Sequence, residues 1–197
     1  MGKSRIEAFS DGVIAIIITI MVLELKPPDS PALSSLAPVI PVFLSYLLSF
    51  LYLGIYWNNH HHMLHTVKTV TGGMLWANLH LLFWLSLIPF VTHWMYGTHF
   101  AGITTALYGV VLLMAAVAYW ILQGRIIRAQ GPNSVLRKAI GSDWKGRLSP
   151  AVYLAAIFLA QVSHWAALTL YVLVALIWLI PDRRIERLFG ESPPASE

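Results

Sequence analysis

The sequence contains no cysteine and little charge. Without cysteine it has no disulfides, no thiolate metal sites and no cysteine nucleophile. Charged residues make up only 11% of the 197 residues, about half the share found in an ordinary soluble domain. The sequence also lacks a P-loop, a Ser-x-x-Lys motif and a His-Glu-x-x-His motif. These absences argue against an enzyme, and we expect no cofactor.

Hydrophobic residues dominate what is present. They form 57% of the chain, and the mean hydropathy is +0.67. A membrane-spanning helix needs about 20 predominantly apolar residues. Longer stretches than this carry no charged residue at 33–67, 69–124 and 148–181. We therefore predict an all-α, polytopic membrane protein.

Helix-breaking residues divide these stretches into six predicted membrane-spanning helices within a single domain, residues 1–197. Pro27-Pro28 end the first helix, and Gly72-Gly73 separate the second from the third. The last apolar stretch would form one helix of about 48 Å, longer than the hydrocarbon core, so we divide it in two. We expect a cytoplasmic loop at 123–147 and helices near 6–25, 36–67, 74–95, 100–122, 149–163 and 165–180.

The basic residues predict how these helices are oriented. With six spans and a cytoplasmic amino terminus, Lys26 is the one basic residue on the outer side. Five spans would instead place the last three arginines outside, against the positive-inside rule. We therefore expect both termini in the cytoplasm. Because the basic residues follow membrane ends and not one folded face, they do not indicate nucleic-acid binding.

Polar residues on three predicted helices fall at one level near the cytoplasmic face. The first helix carries Ser10 and Asp11, the second carries Asn58 and His60, and the third carries Asn78. Buried polar and charged groups are expensive in a membrane unless they are paired. We therefore predict a buried polar network that joins the three helices, and we expect Arg5 at the start of the first helix to reach a partner on another helix.

A histidine cluster ends the second helix, at His60-His61-His62 and His65. Imidazoles at helical spacing are common zinc ligands, so a metal site is one interpretation. No Asp or Glu lies in this stretch to complete a catalytic shell. The favoured interpretation has no metal, with one or two histidines hydrogen-bonded inward and the others solvated.

An apolar stripe follows Asp11 on the first helix. Ile16, Thr19, Ile20 and Leu23 lie on one face at helical spacing. In most membrane proteins such a stripe packs into the core. If copies from several subunits faced one axis, the stripe would form a hydrophobic constriction that can gate by dewetting.

Three segments carry a family resemblance. They are Arg5-x-x-x-Phe9-Ser10-Asp11, the run from Trp57 to His61, and the third-helix segment Trp76-Ala77-Asn78 with its later Ile88-Pro89-Phe90. Together they resemble the transmembrane protein 175 family, the lysosomal and prokaryotic potassium channels. The length is similar to that of the single-repeat prokaryotic members.

The resemblance implies a potassium-selective leak channel in a prokaryotic plasma membrane, with potassium ions and lipid as partners. It implies a homotetramer whose first helix lines the pore, and a constriction formed by Ile16, Thr19 or Ile20, and Leu23. It further implies a structural network in which motif residues of the first helix bond to the second and third. The residues concerned are Arg5, Phe9, Ser10, Asp11, Trp57, Asn58, His60, His61 and Asn78.

Two other functions remain open from the sequence. Asp11 and His60 to His62 could relay protons in a proton-coupled transporter, since intramembrane carboxylates often do so. The histidine cluster could alternatively support a membrane metalloenzyme. The channel interpretation is preferred because the middle of the first helix offers only Thr19 as a polar group.

Overall fold

The computed structural model describes residues 2–131, 134–140 and 143–179. All regular secondary structure in these ranges is helical, which confirms the prediction of an all-α protein. A 3-10 helix, Leu33–Val39, precedes the second α-helix. The α-helices are α1 Lys3–Val22, α2 Ile40–His65, α3 Gly72–Ser86, α4 Ile88–Gly97, α5 Gly102–Gln130, α6 Val135–Ile140, α7 Trp144–Leu159 and α8 His164–Leu179.

Three helical segments of the described residues are long and apolar enough to cross a membrane. They are Leu33–His65, Gly72–Gly97 and Gly102–Gln130. The 16-residue α8 is apolar but shorter. The first turns of α1 carry charged side chains, including Arg5 and Asp11, which lower its hydropathy. The chain is therefore a membrane protein, and the six-span arrangement remains a prediction.

The predicted third helix is two helices in the structure. α3 ends at Ser86 and α4 begins at Ile88, with Leu87 between them. Pro89 lies at the start of α4 and has no backbone N–H to donate, so the i→i−4 ladder is interrupted there. The Leu87 N–H instead bonds to the Trp84 carbonyl at 3.2 Å, a tighter turn.

The segment 123–147, expected to be a loop, is largely helical where it is described. α5 continues beyond the predicted end at residue 122 to Gln130, and the short α6 follows. The polar, glycine-containing sequence after residue 122 is typical of a loop, but arginine, present here as Arg125 and Arg128, is a good helix former and favourable near a helix carboxyl terminus. The helix ends at Gly131, whose φ of 86° suits glycine. The end predicted for the sixth helix, residue 180, lies outside the described residues.

α5 lies at the centre of the bundle. It packs against α3, α4, α7 and α8, while α1 lies against α2, α3 and α4. Small residues allow the close approach, as is usual between membrane helices. A Cβ atom at Gly102 would lie 2.6 Å from the Ala160 carbonyl oxygen. Gly109 likewise leaves room for Tyr171 and Ile157.

Buried hydroxyl groups join the helices across the middle of the bundle. Ser49 Oγ on α2 lies 2.7 Å from Thr92 Oγ1 on α4 and 3.0 Å from the Tyr108 hydroxyl on α5. The Tyr52 hydroxyl donates to the Tyr171 carbonyl on α8 at 2.6 Å. These contacts satisfy polar groups that would be expensive to bury alone. Throughout the described ranges, every buried side-chain nitrogen and oxygen has a hydrogen-bond partner.

Candidate functional site

The first helix has one buried face and one exposed face. The buried side chains follow helical spacing and are Ile6, Ser10, Ile14, Ile17 and Met21. Phe9 and the four stripe residues lie on the opposite side and are exposed in the protomer. One face of α1 therefore packs against α2, α3 and α4, while the apolar stripe on the other face is uncovered in the protomer.

The stripe contains the residues predicted to form a constriction. Leu23 is 77% exposed, Ile16 is 58% exposed and Ile20 is 47% exposed. The Thr19 hydroxyl donates to the Ile16 carbonyl at 3.0 Å, which leaves its oxygen able to accept a further hydrogen bond. Leu23 is the cap residue just beyond the last helical turn. Large exposed apolar residues also occur on other helices. This stripe differs from them because it lies on the same helix as Ser10 and Asp11, whose side chains make polar contacts to α3 and α2.

A chain of three hydrogen bonds holds the buried face of α1. His60 Nε2 lies 2.7 Å from Asn78 Oδ1, and Asn78 Nδ2 donates to Ser10 Oγ at 2.9 Å. Ser10 Oγ in turn donates to the Ile6 carbonyl at 2.8 Å. Because Asn78 presents its oxygen to His60, Nε2 is the protonated ring nitrogen. The three side chains are buried and satisfy one another, and they link α1, α2 and α3.

A second contact joins α1 to α2, at the residue after Ser10 on α1 and about one turn before His60 on α2. Trp57 Nε1 donates to Asp11 Oδ1 at 2.9 Å. A hydrogen bond to an ionised carboxylate is stronger than a neutral one. We call the residues of these two contacts, namely Ser10, Asp11, Trp57, His60 and Asn78, the polar anchor of α1.

Other residues predicted for the network lie outside the polar anchor in the protomer. Arg5, Phe9 and Asn58 are exposed, and none of them makes a side-chain hydrogen bond to another described residue. His61 is also exposed, and its ring stacks on Trp57 with centroids 6.2 Å apart. Of the two histidines left open by the sequence, the structure therefore brings His60 to Asn78.

The histidine cluster does not form a metal centre in the described part of the chain. No group of three His, Cys, Asp or Glu side chains is close enough there to hold a metal ion. The His61 ring packs edge-on against His62 and His65, with centroids 5.6 and 6.2 Å apart.

Sequence reasoning missed a contact at the other end of α1. Glu24, directly after Leu23, has Oε2 2.6 Å from His93 Nδ1 on α4. The Tyr96 hydroxyl lies 2.9 Å from the same nitrogen. Neither residue belongs to a motif or to an apolar periodicity, so no local signal connects them. The pair ties the chain just after α1 to α4, in addition to the polar anchor near the middle of α1.

Comparison with known proteins identifies the family. Residues 5–89 match the family model described as "Endosomal/lysosomal potassium channel TMEM175". A potassium channel of Chryseobacterium sp. (strain P1-3) is 55% identical over 192 residues, which cover 98% of this chain and 100% of that protein. A potassium channel of Chamaesiphon minutus is 29% identical, covering 89% of this chain and 93% of that protein.

A solved structure and an animal relative extend the comparison. The crystal structure of a lysosomal potassium-selective channel TMEM175 homolog from Chamaesiphon minutus superposes with a TM-score of 0.79 at 28% identity, covering 91% of this chain and 97% of that chain. The human endosomal/lysosomal proton channel TMEM175 is 33% identical over 86 residues, but these make up only 17% of its length. The chain therefore belongs to the TMEM175 family of ion channels, as its Arg5-x-x-x-Phe9-Ser10-Asp11 motif predicts, and is not an enzyme.

Proposed function

We propose that the protein is a potassium-selective leak channel, a homotetramer in a prokaryotic plasma membrane whose α1 helices line a central pore. The observation that carries the proposal is the division of α1 into two faces. The polar anchor holds one face against α2 and α3, and the apolar stripe on the other face is uncovered in the protomer. The bacterial relatives named as potassium channels support the choice of ion.

In this tetramer, the stripe forms the constriction. Four copies of α1 around one axis would place rings of Ile16, Ile20 and Leu23 side chains along the pore. Such apolar rings conduct only when wetted, and they oppose the passage of tightly hydrated ions. Potassium holds its water less tightly than sodium and crosses more readily. The Thr19 hydroxyl oxygen, which donates its proton to the Ile16 carbonyl, supplies an oxygen contact in an otherwise apolar wall.

The polar anchor keeps the pore helix in position and does not itself contact the ion. Ser10, His60 and Asn78 are buried between α1, α2 and α3, while the Trp57–Asp11 contact lies at the more exposed edge between α1 and α2. Arg5, Phe9, Asn58 and His61 are exposed beside the anchor in the protomer. We expect these four to contact neighbouring subunits, which would also satisfy the Arg5 charge. Six spans and cytoplasmic termini complete the proposed topology.

The test is an ion flux assay on purified protein in liposomes. Potassium flux should exceed sodium flux, require no pH gradient and persist after a chelator is added. An empty-liposome control and protein inactivated by heating would define the background. Equal potassium and sodium flux would contradict the proposed selectivity, and absence of flux under every ion gradient would contradict the channel.

A second candidate involves protons, because the matched animal relatives are named proton channels. Proton permeation or proton-coupled transport would use Asp11 and the histidines from His60 to His62. The same liposomes with a pH-sensitive dye distinguish the two functions. Flux of potassium that stops when the pH gradient is removed would favour the proton-coupled transporter over the leak channel.

A further inference from the structure

A cavity of about 50 Å³ lies between α2, α5, α7 and α8. It is found where α5 approaches its carboxyl end and α7 begins. The described residues that line it belong to neither α1 nor α3. The cavity is therefore separate from the apolar stripe, and it faces the opposite side of α2 from the contacts with Asp11 and Asn78.

Aromatic rings form most of its wall. Rings from four helices converge on the cavity, namely Tyr52, Tyr56, Tyr119, Trp120, Tyr153 and Trp178. The faces of tyrosine and tryptophan rings carry negative electrostatic potential and attract cations. The Trp178 ring already has the Lys145 ammonium 6.0 Å from its centroid. The tyrosine rings and Trp120 remain, and a cavity built from them is suited to a cationic or neutral guest and disfavours an anion.

A single carboxylate joins the rings. Asp143 is the only charged side chain among the described residues that line the cavity. It caps the amino terminus of α7, where Oδ1 accepts from the Gly146 N–H at 3.2 Å, and its φ of 39° places it in the left-handed region. No ion pair joins Asp143 to another described residue. The carboxylate is thus fixed in place with oxygen lone pairs remaining.

Neutral acceptors add to this charge. Asn59 Nδ2 donates to the Ile55 carbonyl at 2.8 Å, which leaves Asn59 Oδ1 as an acceptor. Ser149 Oγ also lines the cavity, but it already accepts from Trp178 Nε1 and donates to the Lys145 carbonyl. The Gln123 amide and several tyrosine hydroxyl groups also line the cavity. A single carboxylate and neutral polar groups among aromatic rings are a poor match for a bare metal cation, which takes about six oxygen ligands. They suit an ammonium group attached to carbon.

We propose that this cavity binds a small alkylammonium group, with Asp143 as its counter-ion and the aromatic rings around its carbon atoms. One water-sized guest needs roughly 10–15 Å³ of such volume, so the cavity accommodates a group of about three to five non-hydrogen atoms. That is the size of an ethanolammonium or methylated ammonium group. The group can belong to a lipid headgroup or to a free amine, and both sources share this chemistry.

The first experiment measures binding of ethylammonium chloride to the purified protein by calorimetry. The protein is held in nanodiscs whose lipid headgroups carry no amine. Saturable binding of one cation per protomer is expected. Asp143→Asn should weaken it about tenfold or more, the range for a hydrogen bond to a charged group. Asparagine caps helices as well as aspartate and tolerates the left-handed region, so the α7 cap is retained.

Matched controls separate the cavity from other cation sites. Asp29→Asn removes an exposed carboxylate in the segment after α1 and should leave the affinity unchanged. Trp120→Leu should weaken binding roughly two- to fivefold through loss of a cation–π contact at an exposed site. Trp165→Leu removes a similarly exposed ring at the other end of the bundle and should have no effect.

Repeating the titration in nanodiscs of an ethanolamine lipid distinguishes the two sources. Binding that disappears there indicates that the lipid headgroup already fills the cavity, and binding that persists indicates a free amine. Either outcome supports the proposal. Absence of saturable binding in the amine-free nanodiscs would overturn it. So would unchanged affinity in a folded Asp143→Asn variant, because the cation would then bind elsewhere, for example in the pore.

Discussion

The Asn78 side chain donates from Nδ2 to Ser10 Oγ at 2.9 Å, and this one contact joins α3 to the buried face of α1. The other end of the same amide contacts His60 on α2. Ser10 lies on the same helix as the stripe residue Ile16, roughly two helical turns before it. The position of the proposed pore wall is therefore set by a side chain that has no contact with the pore.

Replacing Asn78 should destabilise the protein. Asn78→Leu leaves the Ser10 hydroxyl without a donor and the His60 ring nitrogen without an acceptor in a buried site. Each unsatisfied buried group costs about 1–3 kcal/mol. The melting temperature of the detergent-purified protein, followed by size-exclusion chromatography, should fall. Gln161→Leu is the matched control, because the Gln161 amide is exposed and bonds to no other described residue; equal losses in the two variants would contradict the role of the anchor.

Removal of Asp11 should impair assembly more than ion selectivity. Asp11→Ala deletes the acceptor for Trp57 Nε1 and so loosens α1 from α2. Asp11→Asn keeps an oxygen in the same place and should retain most of the assembled protein. Cross-linking and size-exclusion chromatography report assembly, and flux ratios report selectivity. A fully assembled Asp11→Ala channel with altered selectivity would show that Asp11 acts on the ion and not on the fold.

The sequence contains enough to predict that Ser10, Asn78 and a histidine lie close together. Each lies within a few residues of a predicted cytoplasmic helix end, and unpaired polar groups are expensive at that depth. It does not contain enough to choose His60 over His61. That choice depends on the rotation of α2 about its axis, which is fixed by the packing of its buried side chains, such as Leu53 and Leu64, against the rest of the bundle.

Other features depend on contacts that no local pattern encodes. The Glu24–His93 pair joins an exposed helix end to α4, and either residue alone resembles an ordinary polar group near a membrane surface. The extension of α5 to Gln130 differs from the predicted end at residue 122 because a polar, glycine-containing stretch is typical of a loop, although arginine does not interrupt helical hydrogen bonding. Gly131, with its positive φ, was the better signal.

Close packing of α5 predicts a specific intolerance at Gly109. A Cβ atom there would lie 2.8 Å from Tyr171 Cζ and 2.9 Å from Ile157 Cγ1. Gly109→Ala should therefore lower stability by about 1–3 kcal/mol, as overpacked cores do. Gly124→Ala on the same helix meets no atom within 4 Å and should be neutral, or stabilising by up to about 1 kcal/mol. Thermal unfolding of both variants tests the contrast, and similar melting temperatures would contradict it.

Polar substitution in the stripe should raise current and reduce selectivity. Ile16→Asn or Leu23→Asn places an amide where we propose an apolar ring, which favours water in the constriction and lowers the barrier for hydrated ions. Both residues are exposed in the protomer, so the substitutions should leave the fold intact. Potassium and sodium currents of reconstituted channels provide the measurement, with an increase in total current and a potassium-to-sodium ratio closer to one.

The matched control for the stripe is Ile103→Asn. Ile103 on α5 is 60% exposed, close to the value for Ile16, but it lies outside α1. Its substitution should change neither current nor ion ratio. If assembled Ile16→Asn and Leu23→Asn channels both behaved like Ile103→Asn, the stripe would face lipid and α1 would not line the pore. If current and ion ratio changed in both stripe variants but not in Ile103→Asn, the constriction would be assigned to α1. Added polarity would then lower the barrier to the ion only on that helix.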